Sequence, residues 1–184
     1  MKALDALHLR SSVPKLSGPL PSQKMLENIY KAAFRAADHA VLRPWRFLVV
    51  TADSREKLGE LFAKAGAAND AALDQGALEK LRSKPLRAPL VLVCISSFKP
   101  HPKVPEIEQD LSAGAATQNM LLAAFAQGLG AMWRTGSLAY DPIVKDGLGL
   151  SAEEKIIGFL YIGTVDGGTK QLCEPDIQSY FQEW

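Results

Sequence analysis

Three short stretches of the chain carry cations and hydroxyls in patterns able to hold an anion. Arg10-Ser11-Ser12 sets a guanidinium and two hydroxyls just past a helix-like segment, a combination that binds a phosphate or the polar edge of a ring. A solvated helix end also favours a cation, so this triplet alone has two readings. Residues 35–47, RAADHAVLRPWRF, gather Arg35, Asp38, His39, Arg43 and Arg46 around a Pro-Trp pair. Arg35 and His39 are four apart and share a face if a helix runs that far. Trp133-Arg134-Thr135 sets an arginine directly after an apolar strand start, where a charge is costly unless an anion meets it. Net charge is only +1, so these cationic spots are local features. Together they point to one phosphorylated ligand, read by parts distant in sequence.

Other chemistries find less support. The histidines are His8, His39 and His101, and no GxSxG or activated cysteine accompanies them, so a hydrolytic triad has no candidates. Cys94 and Cys173 lie far apart, without CxxC or zinc spacing. Cys94, inside PLVLVCIS, reads as a small buried residue. GLG at 128–130 has a helix before it and a strand after it, the reverse of the dinucleotide fingerprint, and reads as a helix C-cap. The near-neutral charge invites neither nucleic acid nor an anionic membrane. No apolar run approaches roughly 18 residues, and MKALDALHLR lacks the apolar centre of a secretory signal. A reduced, cytoplasmic setting is expected.

Elements must bring these stretches together. The 184 residues, 47% hydrophobic and 22% charged, suffice for one compact domain spanning 1–184. Residues 2–9 read as a helix, and a Pro- and Gly-rich turn follows. Ser22 is an N-cap for a helix with Met25, Leu26, Ile29, Tyr30, Ala33 and Phe34 on one face, ending near residues 35–39. Residues 46–51 read as a buried strand, and Asp53 with Glu56 as a capping-box start to the next helix. Residues 65–76 read as a small, polar connection, with a short helix near 77–82. Residues 89–96 read as a central strand and 107–127 as a core helix, apolar nearly all round its second half. A short strand (131–134), a helix opened by Asp141-Pro142, a turn capped by Ser151 with Glu154 and a last strand (155–163) follow. The tail from Lys170 to Trp184 is too apolar to remain bare, so Tyr180, Phe181 and Trp184 need a surface to cover.

The ordered set LHLRSS, RAADH…PWRF, the strand after Ala88-Pro89, AFAQGLGAMWRTG and IIGFLYIGT resembles the FMN-dependent nitroreductase family over essentially the whole chain, most closely its short YdjA-type NAD(P)H nitroreductases. The resemblance implies an α+β fold: a three-layer α/β/α arrangement, with a mixed, mainly antiparallel sheet and helices on both faces, in an intertwined homodimer. It implies FMN at the subunit interface, with Arg10, Ser11, Ser12, Trp133, Arg134 and Thr135 from one chain and Arg35 and His39 from the other. It assigns nicotinamide-nucleotide contacts to Ala123, Ala124, Phe125, Ala126, Gln127 and Gly128. The activity implied is ping-pong hydride transfer from NAD(P)H through FMN to a nitroaromatic or quinone. An ene-reductase or dehalogenase on the same fold, or a flavin-binding protein with little turnover, are the alternatives. The chain departs from the pattern at Ser11, where close relatives often carry a second arginine, and at Ala37 and Arg43, where many carry Pro and Gln. It is also shorter than typical members, which implies a more open pocket.

Overall fold

The computed structural model describes residues 1–168 and 172–184. The order is α1 (Ala3–Leu9), β1 (Leu16–Ser17), α2 (Gln23–Ala33), β2 (Trp45–Thr51), α3 (Asp53–Asn69), α4 (Gln75–Arg82), β3 (Leu90–Ser97), α5 (Glu106–Ala126), β4 (Gly130–Arg134), α6 (Ser137–Tyr140), α7 (Pro142–Gly147) and β5 (Glu154–Val165). Short 3₁₀ turns lie at His39–Val41, Lys84–Arg87 and Ile177–Ser179.

β3 holds the centre, paired with β2 on one side and β5 on the other; β1 and β4 also pair with β5. All four pairings are antiparallel. Strand alternation divides β3 between two cores. Leu90, Leu92 and Cys94 face α2 and α5, whereas Val91, Val93 and Ile95 face α3 and α7. Both faces are therefore covered by helices, which is why β3 reads as an unbroken apolar run although its neighbours are antiparallel. No helix among the described residues is long and apolar enough to cross a membrane.

Several local expectations change. α2 stops at Ala33, with Phe34 as its C-cap, so Arg35 and His39 do not share a helical face. Asp53 is the first helical residue of α3, not its cap; Ser54 ties this corner by accepting from the Thr51 N–H at 2.9 Å and donating to the Thr51 carbonyl. Residues 65–69, read as part of a connection, continue α3: its small residues pack against α4, and Ala65 is fully buried. Asp74 caps α4, accepting from the Ala77 N–H at 2.7 Å. Glu154 closes the turn after Ser151, its carboxylate accepting from the Ser151 N–H at 3.1 Å and its own N–H donating to the Ser151 carbonyl at 3.2 Å, and it is also the first residue of β5. The second half of α5 has one buried face, with Met120, Leu121 and Ala124, while Ala126 is exposed and Leu122 and Ala123 are half-buried. Gly128 follows its end at φ +79°, the left-handed conformation of a helix-terminating glycine.

The predicted tail opens at Lys170, which lies outside the described residues. Its aromatic end does not pack on its own protomer: Tyr180 is 79% exposed, Phe181 75%, and Trp184 fully exposed.

Candidate functional site

Arg10 ends α1 in extended conformation, and the Val13 N–H donates to the Ala131 carbonyl at 3.0 Å. That bond lays the Arg10-Ser11-Ser12 segment alongside the start of β4. Arg10, Ser11 and Ser12 line a groove of about 300 Å³ with Pro14, Met132, Leu172 and Cys173. Met132 is its far wall and also borders a second pocket of about 320 Å³, lined by Trp133, Arg134, Thr135, Phe159 and Tyr161. Two of the three predicted stretches thus meet across a single β4 side chain.

The second pocket contains two cations that sequence reasoning missed, Lys84 and Arg87. They are three apart on the 3₁₀ turn Lys84–Arg87, where residues i and i+3 eclipse, so both project to one side. Nothing marks them in the sequence beyond the basic run KPLR; only the packing of that turn beside β4 brings them to Arg134. The Arg134 guanidinium lies 5.7 Å from the centre of the Tyr161 ring. Burial pushes Lys84 below its ordinary value, and the charges of Arg87 and Arg134 push the same way. Burial raises the Tyr161 hydroxyl to about 12 against the pull of Arg134 and Arg87. Among the described residues no ion pair involves Lys84, Arg87 or Arg134.

Trp133 has a framework duty as well: its indole N–H donates to the Ile157 carbonyl at 3.2 Å. Thr135 is exposed at the pocket rim.

Residues 35–47 go elsewhere. Arg35 is exposed and borders an open apolar groove with Ala3, Leu7, Asn119 and Ala123. The His39 Nδ1 lies 2.7 Å from the Glu108 carboxylate of α5. Neither residue lines the Arg10 groove or the Arg134 pocket of its own protomer. Asp38 anchors the loop, accepting from the N–H groups of Leu42 (3.2 Å) and Arg43 (2.6 Å). Between them Ala40, Val41 and Arg43 all have positive φ, at 62°, 54° and 49°. Such strain persists only where surrounding contacts overdetermine it. Lys99 adds one contact, its ammonium donating to the Leu42 carbonyl at 2.7 Å. Arg43 lies 6.0 Å from the centre of the Phe34 ring. Trp45 is buried edge-on against Phe34, with its indole N–H unpartnered.

The run Ala123–Gly128 lies away from both pockets. Its Gln127 side chain binds the framework, accepting from Asn28 at 2.8 Å and donating to the Met25 and Ala123 carbonyls. Ala123 and Ala126 border the groove that carries Arg35.

The fold is α+β, a two-faced antiparallel sheet with a groove of guanidinium and hydroxyls beside its β4 edge. The profile of the Nitroreductase family matches residues 9–164, and the chain belongs to that family. It is 40% identical over 164 residues to "Putative NAD(P)H nitroreductase YdjA" of Escherichia coli K12, covering 89% of this chain and 88% of that protein. A Haemophilus influenzae protein, "Putative NAD(P)H nitroreductase", is 37% identical over 165 residues, 89% of each chain. Among solved structures, a nitroreductase-like protein from Bacillus cereus superposes with a TM-score of 0.84 at 23% identity, covering 100% of this chain and 96% of its own. A Bacteroides fragilis nitroreductase with bound FMN gives 0.74 at 21% identity, covering 96% of each chain.

Proposed function

We propose that this protein is an FMN-dependent NAD(P)H oxidoreductase that acts as a homodimer and delivers electrons to nitroaromatic or quinone-type acceptors. The carrying observation is the pair of pockets joined at Met132, one with Arg10 and two serine hydroxyls, the other with Arg134 and Lys84 uncompensated by any described acid. These residues fit a flavin mononucleotide. Arg10, Ser11 and Ser12 supply charge-assisted donors for a phosphate, while Met132 and Trp133 supply apolar wall and Arg134, Lys84 and Thr135 supply donors. Bound FMN would supply the hydride and electron transfer between the reduced nicotinamide and the acceptor. The chain's own part is to hold the phosphate, orient the ring and place fixed positive charge where negative charge develops. Partial burial strengthens that effect, because a cation acts more strongly in a poorly solvated pocket.

Arg35 and His39 line neither pocket of their own protomer. The reading assigns them to the partner's flavin across a dimer interface, and the Ala123–Gly128 run to the nicotinamide nucleotide. The FMN-bound relative from Bacteroides fragilis and the names of the Escherichia coli and Haemophilus influenzae relatives support the reading.

The test is direct. Purified protein reconstituted with FMN should be yellow, bleach with NADH or NADPH, and regain colour on adding a nitroaromatic. Flavin that stays oxidised with both nucleotides removes the reductase reading. A protein that cannot be loaded with FMN removes the cofactor as well. Rapid reoxidation by an enone or a halogenated aromatic, with none by nitroaromatics or quinones, would assign the acceptor to another class.

A further inference from the structure

We propose that Lys84, Arg87 and Arg134 form an anion subsite that selects electron acceptors built from one conjugated ring bearing a carboxylate or phosphate. The proposal rests on the flavin reading above and adds the class of acceptor. Three cations line one pocket of about 320 Å³, and among the described residues none takes part in an ion pair. Two half-buried arginines elsewhere are paired, Arg46 with Glu154 and Arg82 with Glu60, whereas Lys84, Arg87 and Arg134 share one pocket without an acid. Like charges crowded in a half-buried pocket are unfavourable until an anion joins them.

The flavin does not account for all three. Charge developing on a reduced ring is about one unit and delocalised, so Arg134 and Lys84 suffice to meet it. Arg87, at the exposed end of its turn, is the surplus cation. The remaining wall is apolar or aromatic, with Met132, Leu138, Phe159 and Tyr161, which suits a ring carrying the acidic group. A ring acid stacked beside the flavin would meet this aromatic wall and set its acidic group against Arg87, whereas the phosphate of a nucleotide, the other source of such a charge, has no use for the aromatic wall.

Holoprotein should be titrated with benzoate and with its neutral isostere benzamide. Binding is read from the flavin absorption difference spectrum and by calorimetry. Benzoate is expected to bind at least about tenfold more tightly, the scale of one charge-assisted contact. Arg87→Gln should erase that gap while FMN content and benzamide binding stay as they were; Arg87→Lys should restore part of it. Reoxidation by 4-nitrobenzoate should slow in Arg87→Gln relative to 4-nitrobenzamide. Equal binding of the two probes by the unaltered protein overturns the proposal, as does a gap that survives Arg87→Gln. Loss of FMN from Arg87→Gln would assign the cluster to the cofactor's own phosphate and also overturn it. A variant impaired only with NADPH, not with NADH or nitrobenzoate, would assign the anion to the 2′-phosphate and refute the acceptor claim. Calorimetry on protein that takes up no FMN tests the anion subsite separately from the flavin reading.

Discussion

The arginines in residues 35–47 meet three different environments, although the sequence presents them as one block. Arg35 is left on an open groove, Arg43 faces the Phe34 ring, and Arg46 is held bidentate by Glu154 at 2.6 and 2.7 Å. Spacing could not separate these fates, because Arg46's partner lies over a hundred residues away. The hydrogen bonds from Arg46 are the main reason the Glu154 carboxyl is pushed down to about 2, assisted by the Ser151 N–H. A carboxyl with a folded value below its unfolded one, about 4.3, stabilises the fold fully above that unfolded value. The contribution then fades as pH falls from about 4.3 towards about 2. Glu154→Gln should therefore cost about 2 kcal/mol at neutral pH, below the range for a fully buried pair because the Arg46 side chain is 36% exposed. Urea midpoints of the two proteins should converge as pH drops through that window. A difference that stays constant from pH 7 to pH 3 would show that the ion pair is not the source.

At the scale of elements, the β4–β5 junction couples the pocket to the sheet. Register along β3 pairs Cys94 with Gly158 and Ile95 with Ile156, so Ile157 is an extra residue on β5. Such a bulge leaves backbone groups without ladder partners, and here the Trp133 indole satisfies the Ile157 carbonyl. Gly158 makes room for it: a Cβ there would collide with the indole nitrogen and crowd the Arg134 carbonyl. Gly158→Ala should cost about 1–3 kcal/mol through overpacking. At this chain length each kcal/mol lowers Tm by about 2–4 °C. FMN retention should fall as well, since Trp133 and Arg134 are displaced together; an unchanged Tm by calorimetry would contradict the account. The strands β2 to β5 were legible from apolar runs, α2 from its helical periodicity and α5 from its length and apolar content, whereas β1 lay hidden in a stretch that reads as a turn. The bulge was not, because nothing in LYIGT or IIGF distinguishes a paired residue from an extra one. The end of α3 was missed for a related reason: AKAGAAN is small and polar enough to read as a connection, and only contact with α4 makes it a helix.

The whole molecule shows why the site looked divided in sequence. Arg10-Ser11-Ser12 and Trp133-Arg134-Thr135 converge within one protomer, as their types suggested, while Arg35 and His39 stay on another face. On the proposed reading each chain presents two halves of a flavin site, which a two-fold dimer would complete. Apolar surface left bare agrees with this: Leu4, Leu7, Ile107 and Leu111 are more than half exposed, and the tail presents Tyr180, Phe181 and Trp184. Covering those three aromatic side chains contributes roughly 5–9 kcal/mol at about 1.5–3 each. Association costs about 4–15 kcal/mol in lost freedom, so the tail is large enough to decide the balance. A chain ending at Gly168 should therefore elute as a monomer at micromolar concentration, while the full chain elutes as a dimer, with masses read by light scattering. The shortened chain should also release FMN, because Arg35 and His39 no longer face a partner's pocket. If it remains a dimer with its flavin in place, the tail lies outside the interface and the halves are joined by the helical faces alone.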